Sequence, residues 1–370
     1  MFMKQLSLFY MVVLMCFTMA CTHQEFEEEV VKPTDGYIYF NTEVNSRGTL
    51  VTELSEKSFG VFGYNYSNEV DWNTVKVQAK PNVFCKKEIT WNARAFHEYE
   101  SPVAWSPNHL YTFMGYYPYG NSNLVPSEDQ YEGDPYLTYT MPTDNKVANM
   151  VDVMTASIYN TDNSQSNQVG LRFKHRLVAM DVQARNFNEM EGETPVYIKV
   201  TSLMMKFENL KYNSAKLMMD ASLNADIFYE PTTQWKPQYT LVDNSHPIIV
   251  PPSRGSSGNV DPTYLTGIEA NPNTTLIFLP QSAEDGEPFL KGVVTYSYEF
   301  VDVNGNRITV KINNKDVASV INQTISFDTG KNMVAGRKYI FQMTFSRSTI
   351  TIAVVESDEW TDHNVNIDFE

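Results

Sequence analysis

Cysteine is scarce in this sequence, and basic residues are outnumbered by acidic ones. The 370 residues include three cysteines, 28 lysines and arginines, and 44 aspartates and glutamates, for a formal net charge of −16. An acidic chain without basic clusters is a poor partner for nucleic acid and for anionic membranes. After residue 20, no apolar run reaches the length of a transmembrane helix. We therefore expect no nucleic-acid partner.

Motifs for catalysis and metal binding are also missing. The sequence has no Gly-x-Ser-x-Gly elbow, no His-Glu-x-x-His, no phosphate-binding glycine loop and no Cys-x-x-Cys pair. The histidines stand singly, and we interpret His175 as a packed, hydrogen-bonded strand residue. We interpret Cys85 as a small, buried apolar residue rather than a nucleophile. Carboxylates are plentiful, but no glycosidase pair is marked out. The prediction is no enzyme, no catalytic residue, no metal and no cofactor.

Residues 1–20 have the layout of a secretory signal peptide. Lys4 supplies the positive charge, residues 6–17 are apolar but too short to cross a bilayer as a helix, and Cys21 stands at the cleavage point. Residues 18–21, Thr-Met-Ala-Cys, resemble the lipobox of bacterial lipoproteins, although threonine stands where leucine is usual. This predicts acylation of Cys21 by chains such as palmitate, which anchor a protein stably. The alternative is an ordinary secreted protein with a chance cysteine.

The segment after the signal peptide is acidic and has no apolar period, so we interpret residues 21–35 as a lipidated, flexible tether. Next to a lipidated cysteine, the acidic residues 25–29 resemble the signal that directs lipoproteins of Gram-negative anaerobes to the outer face of the outer membrane. Cys16 leaves with the signal peptide and Cys21 carries lipid, so Cys85 has no disulfide partner in the chain. The roughly 350 remaining residues need a large core, and they suffice for two domains.

Almost every readable segment alternates apolar and polar residues with a period of two, which is typical of β-strands. Residues 37–44, for example, place Ile38, Phe40 and Val44 on one face. Similar segments recur about every ten residues between glycines, prolines and asparagines, which predicts an all-β chain of β-sandwiches. A polar stretch near residue 190 divides it into predicted sandwiches at residues 36–190 and 191–370.

Three segments carry more specific local signals. Residues 301–307 contain an Asn-Gly pair that predicts a type I′ hairpin turn, in preference to a calcium loop. Residues 203–219 fit a helix loosely, but their asparagines favour a turn between two strands. Residues 174–176, Lys-His-Arg, interrupt an alternating segment in the manner of a bulge or corner.

Several short motifs, together with the lipobox and the acidic tether, give the chain a family resemblance over most of its length. In order, they are Ser-Arg-Gly at 46–48, Trp105, Tyr-Thr-Phe-Met-Gly-Tyr-Tyr-Pro at 111–118, Asp-Val-Met-Thr-Ala at 152–156, the segment 169–182, and Trp360. This order resembles the fimbrillin family. The resemblance implies two tandem transthyretin-like β-sandwich domains. It also implies a pilus subunit, anchor or tip adhesin, with other pilus subunits as partners in a homo- or heteropolymer.

The resemblance also implies proteolytic processing. In family members that polymerise, an arginine-specific protease cuts after the first strand, and the matching bond here is Arg47–Gly48. Cleavage would remove residues 36–44 together with the lipid anchor and move the chain from the outer membrane surface into a pilus. The open sheet edge would accept a strand from another chain. In the alternative, Arg47 is a turn residue and the first strand stays in place.

Two alternating segments near the C-terminus are candidate donor strands, at residues 349–355 and 364–369. Their one-face apolar residues are Ile350, Ile352 and Val354 in the first segment, and Val365, Ile367 and Phe369 in the second. Burying six such side chains contributes on the order of 10 kcal/mol before the entropy of ordering is subtracted. The alternative is that both segments are the last strands of the chain's own second sandwich.

A second function shares the same anchor and strand composition. A surface glycan-binding lipoprotein of a polysaccharide-uptake system would also be exported, lipidated and rich in β-strands. Tyr116, Tyr117 and Tyr119 cluster around Pro118 and are candidate sugar contacts, although packing at a strand end accounts for them equally well.

The processing hypothesis predicts two N-termini on intact cells. We expect mass spectrometry to find a lipidated Cys21 in the membrane fraction and Gly48 in the surface-released fraction. A start at Cys21 in every fraction would contradict cleavage after Arg47 and favour the anchor or glycan-binding hypothesis.

Overall fold

The computed structural model describes residues 36–44, 54, 57–91, 96–97, 101–164, 166–187, 190–191, 194–210, 212–219, 227–230, 236–252, 262–266, 275–280, 290–329, 333–346 and 350–357. The first ten strands are β1 (Tyr39–Val44), β2 (Phe59–Ser67), β3 (Phe84–Trp91), β4 (Phe96–His97), β5 (His109–Tyr117), β6 (Leu124–Pro126), β7 (Tyr136–Thr140), β8 (Met154–Thr161), β9 (Gln168–His175) and β10 (Val178–Asn186). The next eight are β11 (Met190–Glu191), β12 (Thr194–Pro195), β13 (Tyr197–Phe207), β14 (Ser214–Met218), β15 (Ile227–Tyr229), β16 (Gln238–Val242), β17 (Ile248–Val250) and β18 (Thr263–Tyr264). The last seven are β19 (Leu276–Phe278), β20 (Lys291–Val301), β21 (Val310–Ile312), β22 (Lys315–Val317), β23 (Ile321–Asp328), β24 (Lys338–Phe345) and β25 (Ile350–Ser357).

These residues are almost entirely strand, which confirms the predicted all-β fold class. The described part also contains a short α-helix, α1 (Trp72–Val75), and a 3-10 turn at Val147–Asn149. Asp71 caps α1, because its carboxylate accepts a 2.9 Å hydrogen bond from the backbone N–H of Thr74.

Seven strands near the N-terminal end form a closed ring in the order β1-β4-β3-β2-β5-β8-β9. Strand β1 closes the ring by pairing with β9 on one side and with β4 on the other. The ring encloses an apolar cluster, because alternate side chains of each strand project to the same face. Its aromatic members are Phe40, Phe59, Phe84, Trp105, Tyr111, Phe113 and Phe173.

The second body of the fold is a sandwich of two sheets. One sheet has the order β18-β10-β24-β25, with β19 also paired to β10; the other has the order β16-β13-β20-β23, with β17 beside β13. Aromatic rings pack between the facing sheets: the centroids of Phe327 and Phe341 are 4.6 Å apart, and those of Tyr298 and Phe345 are 5.1 Å apart. Such packing of inward-facing rings is typical of a sandwich core.

Strand β10 is buried on both faces and carries a charged residue in its middle. Asp181 Oδ2 lies 2.9 Å from Lys338 Nζ on the neighbouring strand β24, and both side chains are almost fully buried. The hydroxyl of Thr275 donates a 2.7 Å hydrogen bond to Asp181 Oδ1. A buried charge is tolerated only when it is paired and hydrogen-bonded, so this lysine and threonine allow an aspartate at the centre of an apolar sheet.

The corner predicted at residues 174–176 joins the ring to the sandwich. Strand β9 ends at His175, and β10 begins two residues beyond Arg176. His175 Nδ1 lies 2.8 Å from Asp152 Oδ1, and the Arg176 guanidinium donates a 3.3 Å hydrogen bond to Thr155 Oγ1. His175 is therefore the packed, hydrogen-bonded residue that the sequence predicts.

Strand pairing also connects the residues before and after position 190. Strand β14 pairs with β7 in a four-stranded sheet that also contains β6 and β15, and β10 runs parallel to β24 from Ala179 to Asn186. One apolar cluster extends from Phe62 to Phe345. The division near residue 190 into two folding units stays a prediction.

Two local predictions need correction. Cys85 is only partly buried at the start of β3, where its thiol lies 3.5 Å from the carbonyl oxygen of Asp129. The 301–307 hairpin forms, but its turn is not type I′, because Gly305 (φ +80°) has a positive φ and Asn304 does not. The carboxylate of Asp302 accepts backbone hydrogen bonds from Asn304 and Asn306, and this local cap selects the other turn geometry. The prediction of two strands within residues 203–219 is confirmed by β13 and β14.

Glycine at position 292 is required by the close approach of β20 to β13, and its replacement should weaken the sandwich. A Cβ at Gly292 would lie 2.3 Å from the carbonyl oxygen of Lys206 and 2.6 Å from the Phe327 ring. We expect Gly292→Ala to lower the free energy of unfolding by about 1–3 kcal/mol in urea titrations. Gly170→Ala is the control in another strand, because a Cβ there meets nothing within 4 Å, and we expect a change within about 0.5 kcal/mol. Equal midpoints for the two variants would contradict this account.

Candidate functional site

Strand β1 is the candidate assembly element. Among the described residues, it pairs in parallel with β9 from Tyr39–Gln168 to Val44–Phe173 and antiparallel with β4 at Phe40–Phe96. Just before the strand, the backbone N–H of Ile38 donates a 2.8 Å hydrogen bond to Val103 O. Within the described part, β1 thus pairs along its whole length with β9 and at one position with β4.

The side chain of Phe40 fills the centre of the ring of strands. It is 1% exposed, and its ring centroid lies 5.4 Å from that of Phe113, 5.9 Å from Phe84 and 6.0 Å from Phe59. Edge-to-face aromatic packing adds about 0.5–1.5 kcal/mol per pair to the free energy gained by burial. Ile38, just before β1, is also buried in this cluster, and Val44 packs against it partly buried, so the three residues share one face as the sequence predicts.

The outer face of β1 contributes much less to its attachment. Arg172 Nε donates a 2.9 Å hydrogen bond to Glu43 Oε2, but both side chains are more than half exposed. Exposed ion pairs of this kind contribute between 0 and about 1 kcal/mol. Strand β1 is therefore retained by its backbone pairing with β9 and by side-chain packing, above all that of Phe40.

The first candidate donor segment lies at the edge of the sandwich. Strand β25 pairs with β24 along its full length, from Ile350–Phe345 to Ser357–Lys338. Ile350 and Ile352 are half-buried and pack against the main apolar cluster. Val354 pairs through its backbone with Phe341, and its side chain lies outside the described part. In this state, residues 350–357 complete the chain's own sheet.

The other predicted site residues lie outside the described residues. These are Cys21, Arg47, Gly48, Val365, Ile367 and Phe369, and the signal and tether segments lie outside as well. In sequence, Arg47 follows the last residue of β1 by three positions, and residues 364–369 follow the end of β25.

The tyrosines suggested as sugar contacts have different environments. Tyr116 is 2% exposed and packs with its ring centroid 6.0 Å from that of Phe62, so it is a core residue and not a surface platform. Burial raises the pKa of its phenol, which keeps the hydroxyl protonated. Tyr117 and Tyr119 are half-buried, and Tyr117 precedes a cis bond to Pro118. The alternation of β5 accounts for this difference, since Tyr116 and Tyr117 point to opposite faces.

Among the described side chains, no three histidines, cysteines or carboxylates lie close enough together to hold a metal ion. Of the described helices, none has the length and apolar character needed to span a bilayer.

Comparisons with known proteins agree with the fold. A family model described as fimbrillin-like matches residues 49–360. A solved fimbrial protein from Bacteroides vulgatus superposes with a TM-score of 0.59 at 20% identity, covering 87% of this chain and 99% of that one. A protein assigned to cell adhesion from Bacteroides uniformis has a TM-score of 0.48 at 14% identity, covering 89% and 100%. One from Bacteroides ovatus has a TM-score of 0.49 at 13% identity, covering 89% and 99%. No curated protein matches the chain.

The packing of β1 predicts that alanine substitutions at two adjacent residues lower the free energy of unfolding by very different amounts. We expect Phe40→Ala to lower the free energy of unfolding by about 3–5 kcal/mol, because it leaves a cavity between three rings. Asn41→Ala, which alters an exposed side chain of the same strand, should change it by less than about 0.5 kcal/mol. Urea unfolding followed by tryptophan fluorescence measures both. A Phe40→Ala variant as stable as Asn41→Ala would show that β1 does not hold the ring together.

Proposed function

Since the chain belongs to the fimbrillin-like family, we propose that it is a structural and adhesive subunit of a cell-surface pilus, assembled by exchange of β1 for a donor strand. The observation that carries this proposal is the attachment of β1, whose buried side chains fill the ring core and which, among the described residues, pairs with β4 at one position. A strand of this kind is replaceable, because another alternating strand can supply the same backbone bonds and apolar side chains.

Release of β1 requires one proteolytic event in this proposal. The predicted cleavage bond, Arg47–Gly48, follows Val44 closely, and the predicted lipid on Cys21 precedes β1. A single cut by an arginine-specific protease would therefore detach the strand and the outer-membrane anchor together. The strand then leaves its place in the ring, and β9 offers an unpaired edge beside the rings that had surrounded Phe40.

Residues 364–369 are the better of the two donor candidates. Withdrawing β25 would break its backbone pairing with β24 and expose apolar surface around Ile350 and Ile352. The later segment follows β25 and repeats the spacing of Ile38 and Phe40, since Val365, Ile367 and Phe369 are two positions apart. Burying each of these side chains contributes roughly 1.5–3 kcal/mol, and each strand hydrogen bond adds about 1 kcal/mol net.

The same sequence of events assigns the chain its location. The signal peptide exports it, the lipid holds the precursor at the outer face of the outer membrane, and cleavage transfers it to the pilus. A shaft subunit uses both the cleavage and the donor strand, an anchor keeps its lipid, and a tip subunit receives a donor without supplying one. The fimbrillin-like family is a structural class, which supports a non-enzymatic role.

Donor exchange predicts that a charge on one face of the C-terminal segment blocks assembly. We expect Ile367→Asp to abolish pili on cells and polymers in heated gel samples, because a carboxylate cannot enter an apolar groove. The monomer should keep the urea midpoint of the parent chain. Asn366→Asp is the matched control, since it adds the same charge at the neighbouring position on the opposite face, and it should polymerise normally.

Two results would contradict the proposal that residues 364–369 are the donor strand. An Ile367→Asp monomer that unfolds at lower urea would mean that residue 367 belongs to the chain's own core. Normal polymerisation of Ile367→Asp would mean that another segment is the donor.

In a parallel test, Arg47→Ala should keep β1 in place and leave the chain lipidated and unpolymerised.

A further inference from the structure

A cavity of about 760 Å³ lies where the end of β5, the loops before β6 and before β8, and the start of β19 meet. Its lining is mainly polar and includes Asn121, Asp144, Asn149, Asp152 and Thr275 beside the ring of Tyr117. The volume falls within the roughly 300–1,000 Å³ of small-molecule sites. Neither β1 nor β25 lines the cavity, so it is separate from the assembly element.

Hydrogen bonds hold the polar rim of the cavity in position. Asn149 Nδ2 donates a 2.5 Å bond to Asp144 Oδ2, and the backbone N–H of Lys146 donates a 3.1 Å bond to Asp144 Oδ1. On the opposite loop, the backbone N–H of Asn123 donates a 2.9 Å bond to Asn121 Oδ1. Because these groups are already ordered, a ligand would lose less binding free energy in fixing them.

Asp152 on the inner wall has one oxygen with unused hydrogen-bonding capacity. The residue is 7% exposed, and Oδ1 lies 2.8 Å from His175 Nδ1, whereas Oδ2 is buried and accepts no hydrogen bond from any described residue. Because Oδ2 has almost no accessible surface, Asp152 contributes negative charge to this wall and not a hydrogen-bond acceptor for a ligand. Burial and, to a smaller extent, the charge of Asp152 raise the pKa of Tyr117, so its phenol stays protonated.

The charge of the lining restricts the kind of ligand. Its described residues include the carboxylates of Asp144 and Asp152 and no lysine, arginine or histidine. Lys338 is buried near Thr275, and its charge is neutralised by Asp181, whose Oδ2 lies 2.9 Å from Lys338 Nζ. One further lysine is near, because Lys57 Nζ lies 5.9 Å from the centroid of the Tyr117 ring, but the two carboxylates outnumber it, so phosphate, sulfate and carboxylate groups would be disfavoured. Amides and carboxylates instead match ligands that carry many hydroxyl groups.

We propose that this cavity binds a neutral oligosaccharide. Sugar hydroxyls would bond to Asp144 and Asn149, and the apolar face of a sugar ring would pack on Tyr117 and Pro118. The inference goes beyond pilus assembly and applies to the monomer, so its failure and that of strand exchange are measured separately. On a polymer, repeated copies of a weak site would give strong adhesion through multivalency.

Saturation-transfer NMR on the folded monomer tests this proposal. The neutral probes are lactose, N-acetyllactosamine, mannobiose and xylobiose, and sialyllactose is the anionic probe. We expect saturation transfer to at least one neutral probe and none to sialyllactose. Absence of transfer to all four neutral probes at millimolar concentration, or equal transfer to sialyllactose, would overturn the proposal.

Three variants locate the binding. Ala148→Trp, at an exposed lining position, should abolish transfer by filling the cavity, and Asn149→Ala should weaken binding about tenfold. Gln78→Ala is the control, because Gln78 is an exposed amide that lines a different cavity of about 440 Å³. Thermal melts of all three should match the parent chain. Undiminished binding in a folded Ala148→Trp variant would place the sugar elsewhere and overturn the assignment.

Discussion

The packing of Phe40 against Phe59, Phe84 and Phe113 is the interaction on which the N-terminal ring of strands depends. The main chain of β1 pairs with β9 over six residues, its exposed ion pair is weak, and the buried Phe40 ring provides the side-chain part of the attachment. Such an attachment is stable yet exchangeable, because any strand that inserts a comparable side chain satisfies the same pocket. The folding requirement and the proposed assembly step thus use the same contact.

The rest of the molecule is arranged around the passage from β9 into β10. His175 and Arg176 are held at this corner by Asp152 and Thr155, and the chain then enters a strand that is buried on both faces. Asp152 both fixes the corner and lines the cavity. The cavity therefore lies beside this corner, and its lining combines Tyr117 of β5 with Ile277 of β19.

Sequence patterns predicted the strands well where one face is buried and the other is exposed. The alternation of residues 37–44 correctly placed Ile38 and Phe40 inside, and the basic interruption at residues 174–176 correctly predicted a corner. The predicted type I′ turn at residues 301–307 was wrong, because the capping carboxylate of Asp302 competes with the preference of an Asn-Gly pair for that turn. The prediction that Cys85 is buried was also wrong, since the exposure of a side chain depends on neighbours that are distant in sequence.

The all-β class, the period of the strands and the family motifs can be predicted from the chain alone, because each is a property of consecutive residues. The pairing of the strands, the contact of Asp181 with Lys338 across more than 150 positions, and the burial of Tyr116 while Tyr117 lines a cavity are visible only in the folded molecule. Pairing and burial depend on side chains that the chain brings together from remote segments. Local propensity contains no information about those partners.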